Sequence, residues 1–160
     1  MEFPEDAVAT AAERPMLEKW LDVMRDAVVT KIDGLSEEDI RSRLVPSLTT
    51  VGALVKHLRW VEFGWFERLL GARSGNPLRA HPRDWEFTVQ PDDTGASLIA
   101  DYRAACARSR EIAGGFSLDH TVPHHSMGEV SLRWIFVHLI EETARHAGHL
   151  DILREQLEVS

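Results

Sequence analysis

Apolar residues recur every three or four positions in residues 16–33, 47–71, 95–113 and 131–157. This spacing places them on one side of a helix, so the pattern predicts four long helices. A chain of 160 residues has the size of one domain with a full hydrophobic core. We therefore predict a single all-α domain over residues 1–160, folded as a four-helix bundle.

The ends of these helices carry residues that commonly begin and end helices. Pro15 suits the first turn of the first helix, and Gly34 suits its end. A hydroxyl side chain at position 47, 49 or 50 can cap the second helix, and Gly71 can end it. The third helix is predicted to end at Gly114 and Gly115.

The segments between the long helices differ in character. Ser36 and the acidic residues that follow it predict a short helix over residues 36–45. Residues 72–94 contain three prolines and show no clear period, so they predict a long connection. Residues 116–130 are predicted to form a loop that can include a short extended piece, and residues 1–13 a short mobile arm.

Composition and charge exclude several classes of partner. The net charge of −8 argues against nucleic acid and anionic membranes, which both select basic surfaces. The amino-terminal residues lack the features of a signal peptide, and no apolar run approaches a membrane span. Cys106 is the single cysteine, so a cytoplasmic location is expected, and we predict a buried, inert thiol.

The last helix carries ionisable residues within its apolar stripe. The stripe follows steps of three and four, as in the seam that faces a bundle core: Leu132, Ile135, Leu139, Glu142, His146, His149 and Leu153. A buried carboxylate is costly unless another group neutralises it. Either neighbouring imidazoles or a metal cation could neutralise Glu142, so a simple hydrogen-bonded pair and a metal site both fit.

Spacing limits which of these residues can hold one ion. Glu142 and His146 stand four residues apart and converge well. Glu142 and His149 differ by about 10.5 Å in rise, so a third ligand should come from another helix. His57, between apolar positions in the middle of the second helix, is the best candidate, although a lone histidine there also fits an ordinary core residue. Three nitrogen and oxygen ligands suit a divalent transition metal with an open position.

The remaining histidines have simpler interpretations. His138 lies at the edge of the stripe and is predicted to support the site. His81, His120, His124 and His125 fall in predicted loops, where they are expected to be solvated and could line the mouth of a pocket. The chain has no HExxH and no Glu-x-x-His sequence, so a zincin protease and a ferritin-like di-iron centre are not expected.

Two stretches, TVGALVKHLRWVEFGWFERLLG and SLRWIFVHLIEETARHAGHLDILREQL, resemble the DinB-like superfamily and, within it, the DUF664 branch. The resemblance covers nearly the whole chain. It implies a four-helix bundle with a long crossover between the second and third helices, in agreement with the connection over residues 72–94. It also implies a homodimer.

The resemblance further implies a divalent metal ion, with zinc or nickel expected, bound by His57, Glu142 and His146. Many family members have histidine at the position of Glu142, whereas relatives that use mycothiol have glutamate there. His149 stands where other members often have glutamine. It is therefore expected to be a pocket residue or an alternative ligand.

Relatives of known activity include S-transferases and a maleylpyruvate isomerase that use mycothiol or bacillithiol. The resemblance thus implies a metal-dependent thiol S-transferase that acts on small electrophiles. For such an enzyme we predict His149 as a catalytic residue that supports or polarises the site. Two alternatives remain open. A metal-bound water could serve a hydrolase, or the metal could be structural in a non-catalytic stress-response binding protein.

Overall fold

The computed structural model describes residues 3–159; residues 1 and 2 of the predicted arm lie outside this range. The described chain is mainly helical, which confirms the predicted all-α class. None of its helices has the length and apolar character that a membrane span needs. The main helices are α1 (Glu13–Ile32), α2 (Val51–Glu62), α3 (Gly95–Gly114) and α4 (Leu132–Val159). Two short antiparallel strands, β1 (Thr121–His124) and β2 (Gly128–Ser131), form a hairpin before α4.

Helix α1 packs chiefly along α4, and α2 packs chiefly along α3. The apolar residues between them form two core clusters. One cluster joins residues such as Ile32, Leu54 and Leu150, and the other joins Leu21, Phe66 and Ile135. The packing therefore holds α2 and α4, which carry His57, Glu142 and His146, in one body.

Helix α2 does not end where its α-helical geometry stops. It begins after Thr50, whose side chain accepts a hydrogen bond from the Ala53 amide, and it continues as a π-helix over Phe63–Leu70. The amide of Gly71 bonds the carbonyl of Phe66, five residues earlier, at 2.8 Å. A Cβ at Gly71 would stand 2.9 Å from the Glu67 carbonyl oxygen, so glycine is required at this close approach. The predicted end at Gly71 is confirmed, whereas the wide turns were not predicted.

The short helix predicted over residues 36–45 is wrong. Only a 3-10 turn forms, at Asp39–Arg41. The Ser36 hydroxyl accepts from the Asp39 amide at 3.1 Å and closes this single turn. Beyond it, the Arg41 side chain bonds carbonyl groups of the long connection instead of supporting another turn. An isolated short helix gains little stability from propensity alone, so these tertiary bonds decide the conformation.

The long connection over residues 72–94 is confirmed, and it is anchored on α2. It contains two short 3-10 turns, Pro77–Ala80 and Trp85–Phe87. The buried Lys56 ammonium donates to the Thr88 carbonyl at 3.0 Å and to Asp93 at 2.8 Å, and it lies 3.8 Å from the centre of the Trp85 ring. These contacts hold the second turn against the face of α2 that carries His57.

The buried stripe of α4 differs in its middle from the predicted seam. The four apolar seam positions are buried as predicted, but between Leu139 and Leu153 the buried residues are Thr143, Ala147 and Leu150. Glu142 and His146 lie partly exposed at the edge of the stripe, and His149 is exposed, so the prediction that all three face the core is wrong. Adjacent helical residues differ by about 100°, and this rotation moves the ionisable groups to where water can reach them.

A charged pair lies inside the core where α2 meets α1. The guanidinium of Arg25 donates to both carboxylate oxygens of Glu62, at 2.8 and 2.7 Å, and also to Asp22 at 2.9 Å. Glu62 is only 1% exposed. Burial alone would lower the pKa of Arg25, but Glu62 outweighs it and raises that pKa, so Arg25 remains charged inside the core.

We expect Glu62→Gln to lower the free energy of unfolding by about 3–5 kcal/mol, because it leaves the Arg25 charge buried without a countercharge. Asp22→Asn is the matched control. It also removes a carboxylate partner of Arg25, but its side chain is 33% exposed, so we expect a loss below about 1 kcal/mol. Urea unfolding of both variants measures the difference, and equal losses would contradict the assigned role of Glu62.

We also expect the Cys106 thiol to be unreactive in the folded protein. Burial and the nearby Glu62 raise its pKa to about 12, as the sequence-based prediction of an inert thiol requires. At pH 8 a disulfide reagent should label the native chain at least about a hundredfold more slowly than the urea-unfolded chain, since only the thiolate reacts. Comparable rates would show that the thiol is accessible and acidic.

Candidate metal centre

Three side chains from α2 and α4 converge at the edge of the core. Each of His57, Glu142 and His146 offers one ligand atom, and these atoms lie within 4.8 Å of one another. The Oε1 atom of Glu142 lies 3.5 Å from His57 Nε2 and 3.2 Å from His146 Nε2. The structure thus brings together the three residues that the sequence indicated as metal ligands.

The separations suit a small cation. Four ligands at about 2.1 Å from a tetrahedral ion stand roughly 3.4 Å apart. The two distances from Glu142 to the imidazole nitrogens are already close to this value. Two imidazoles and one carboxylate form a nitrogen and oxygen donor set for zinc, nickel or a similar divalent ion. The residues present therefore fit such an ion without rearrangement of the helices.

The ring nitrogen that faces away from Glu142, Nδ1, has a different partner in each of the two histidines. His57 Nδ1 lies 3.4 Å from Glu86 Oε2, and the His57 ring stacks on Phe87 with centroids 4.3 Å apart. A carboxylate at Nδ1 favours the tautomer that leaves Nε2 free to bind a cation. Glu86 and Phe87 thus orient His57 from the long connection.

His149 occupies the corresponding place beside His146. Its Nδ1 atom lies 3.4 Å from His146 Nδ1, on the side of the ring away from Glu142. One of the two nitrogens must donate and the other accept, so the tautomers of the two rings are linked. His149 is exposed and stands outside the group of three converging ligand atoms.

The electrostatics hold Glu142 and His146 in the forms that bind cations. Burial opposes ionisation of Glu142, but the neighbouring His146 and His57 outweigh it and lower the pKa of the carboxyl group. Burial also lowers the pKa of His146, and this effect outweighs Glu142, which by itself would raise that pKa. At neutral pH the first group is therefore a carboxylate and the second a neutral imidazole, as metal coordination requires.

Three of the other histidines belong to an aromatic cluster around Trp65 and to the cleft beside it. The ring of His138 packs against Trp65 and Trp134, with centroids 4.7 and 5.0 Å away, in an aromatic cluster one turn before Glu142. His124 stacks on Trp65 of that cluster. His124 and His125 also line a cleft, which agrees with the alternative that these loop histidines line the mouth of a pocket.

His81 stacks on Trp85, and His120 packs on Phe116; neither belongs to the group of three. Sequence reasoning missed Glu86 and Phe87. Their segment has no period and no recognisable spacing to His57, so its position on α2 emerges only from the packing of Lys56 and Trp85.

Comparison with known proteins identifies the class to which this arrangement belongs. The family model described as "MST: Mycothiol-S-transferase" matches residues 16–159. The chain therefore belongs to the mycothiol-S-transferase family, which confirms the resemblance to the DinB-like superfamily and its DUF664 branch. No curated protein gives a significant match.

We expect Glu86→Gln to weaken zinc affinity about tenfold, since an amide at the outer nitrogen of His57 no longer supplies a negative charge. Asp84→Asn, an exposed carboxylate two residues away, is the control and should leave affinity unchanged. Competition with a chromogenic chelator measures both. Equal affinities would show that Glu86 does not support the site, and a loss as complete as that of His57→Ala would make Glu86 a direct ligand.

Proposed function

We propose that the protein is a metal-dependent S-transferase that joins a low-molecular-weight thiol, of the mycothiol or bacillithiol type, to small electrophiles. The convergence of His57, Glu142 and His146 ligand atoms within 4.8 Å carries this proposal, together with membership of the mycothiol-S-transferase family. A zinc or nickel ion held by these residues would keep a bound thiol in its thiolate form at neutral pH.

The charges of the three residues suit this chemistry. Two neutral imidazoles and one carboxylate leave a divalent site with one positive charge, which a single thiolate neutralises. The three side chains are partly exposed, so a reactant can approach from solvent, which favours a catalytic site over a closed structural one. Cys106 is buried and its pKa is raised, so its thiol does not ionise at neutral pH. The reacting sulfur must therefore come from a cosubstrate.

We assign distinct roles to the residues around the three ligands. Glu86 holds the His57 ring, and His149 is the catalytic residue that receives the proton released from the thiol. The exposure of His149 beside His146 supports this role. Its Nδ1 atom can take up a proton in place of the hydrogen bond from His146 Nδ1, and the exposed ring can pass a proton on to solvent, while His146 keeps Nε2 free. His138 supports the aromatic wall next to the site.

The wider organisation follows the same proposal. We propose that the four helices form a DinB-like bundle with the long crossover between α2 and α3. The protein would act as a homodimer in the cytoplasm. Light scattering of the untagged protein tests the dimer.

We expect untagged protein to carry about one zinc or nickel ion per chain and to conjugate mycothiol or bacillithiol to monochlorobimane. His146→Ala should lose the ion and at least about a hundredfold of kcat/KM, because one of three ligands is gone. His120→Ala, a histidine outside the site, should retain both. Elemental mass spectrometry and bimane fluorescence provide the two measurements.

The possible failures separate the alternatives. Protein without stoichiometric metal, with His146→Ala as stable as wild type, would contradict the metal centre. Metal without thiol conjugation but with hydrolysis of an activated ester would favour a metal-bound water as nucleophile. Metal with neither activity would favour a structural site in a binding protein.

A further inference from the structure

A cleft of about 430 Å³ lies next to the candidate metal centre. It runs between the later part of α2, its π-helical continuation and the β-hairpin. Its apolar walls include Trp60, Val61, Trp65, Leu69 and Pro123. A volume of this size falls within the usual range for pockets that bind small molecules.

The cleft lies along α2 and is joined to the candidate metal centre through Glu86. Glu86, which contacts His57, also lines the cleft. Trp60, Val61 and Gly64 follow His57 by three, four and seven residues, which is the spacing of a single helical face. A molecule lying along this face would therefore have one end at the three converging ligands.

The opposite end of the cleft is cationic. Arg68 lines it, and beside Arg68 stand the hairpin residues His124 and His125. Arg68 has no ion-pair or hydrogen-bond partner among residues 3–159, whereas nearby Arg73 pairs with Glu67. Loss of hydration, followed by repulsion from His125 and Arg68, lowers the pKa of His124. The His124 ring is therefore neutral at pH 7, and the Arg68 guanidinium supplies the positive charge of this end.

The cationic end is held in place by the fold. Val122 and Val130 face each other across the hairpin and are buried in the core, so the strand that ends at His124 is anchored. The His124 ring stacks on Trp65 with an interplanar angle of 5° and centroids 5.5 Å apart. Arg68 follows Trp65 by three residues on the same helix, so both sides of this end are carried by packed elements.

We propose that this cleft binds one of the reactants and selects small molecules with an apolar body and a carboxylate or comparable anionic group, which Arg68, His124 and His125 hold. The inference rests on the proposed function in that the other end of the molecule lies at the metal centre. Arg68 follows His57 by eleven residues, roughly 16 Å along a helix. The reactant is therefore an extended molecule whose anionic group is remote from the reacting atom.

The chemistry of the three cationic-end residues supports an anion rather than a neutral polar group. A guanidinium without a protein countercharge can pair with a carboxylate through two parallel hydrogen bonds. Each imidazole can donate a further hydrogen bond to the same anion through its N–H group. The apolar walls would bury the body of the same molecule.

Calorimetric titration with naphthalene-2-carboxylate and with its neutral carboxamide tests this inference at pH 7 and constant ionic strength. Wild type should bind the carboxylate at least tenfold more tightly than the carboxamide. Arg68→Gln should reduce this preference to below about threefold and leave carboxamide binding unchanged. Arg108→Gln, an exposed arginine on α3 paired with Glu111, is the matched control and should keep the full preference.

A second variant and the metal-free protein distinguish binding at the cationic end from binding to the ion. His124→Phe keeps a ring on Trp65 but cannot donate a hydrogen bond, so it should lose part of the preference. Protein dialysed against a chelator should retain the Arg68-dependent preference. A preference that disappears with the metal and persists in Arg68→Gln would place the carboxylate on the ion and overturn the inference, as would equal affinity for both probes.

The titration needs no turnover, so its outcome is independent of the thiol-transfer assay. If the protein binds the carboxylate through Arg68 but transfers no thiol, the assignment of the cleft is supported and the proposed transferase reaction is wrong. If the protein transfers thiols but does not distinguish the two probes, the proposed reaction is supported and the assignment of the cleft is wrong. If the preference is present, the KM values of Arg68→Gln for the electrophile and for the thiol are measured separately. The reactant whose KM rises is the one that carries the anionic group.

Discussion

The buried pair of Arg25 and Glu62 constrains much of the remaining structure. A carboxylate with 1% exposure is tolerated only if its charge is neutralised and its oxygens are bonded, and the two guanidinium bonds at 2.8 and 2.7 Å achieve both. Glu62 is the last residue of α2 before the π-helical turns begin. The pair therefore fixes the rotation of α2 and its distance from α1 at the point where the helix changes geometry.

The change of geometry determines which residues face the core and which face the cleft. A regular α-helix would carry Val61, Trp65 and Leu69 on the core face that begins with Leu54 and Leu58. In the structure the wide turns of Phe63–Leu70 bury Phe66 and Leu70 instead, and Val61, Trp65 and Leu69 line the cleft. Wide helical turns of this kind are rare and often occur at functional sites.

Periodicity predicted the four long helices because each buries one continuous stripe, and this information is local. It also brought Glu142 and His146 to notice, since ionisable residues stood where leucine was expected. It did not predict that they lie at the edge of the stripe, because that rotation depends on the neighbouring helices and leaves the spacing of the sequence unchanged. Glu86 was missed because it reaches His57 only through long-range contacts, in which Lys56 fixes the long connection on α2. Local patterns carry no information on such contacts.

The position of Glu142 reconciles two opposing requirements that any carboxylate has to meet in order to bind a cation. Deep burial would favour the protonated carboxyl group, whereas full exposure would let water screen its attraction for a cation. At 17% side-chain exposure, Glu142 keeps a lowered pKa because His57 and His146 stand against it, and a cation can still enter from solvent. An acidic chain with a net charge of −8 can thus present a locally cationic end at Arg68, since screening confines each field to roughly 8 Å at physiological ionic strength. Local pairing, rather than net charge, decides which ligands each end of the cleft attracts.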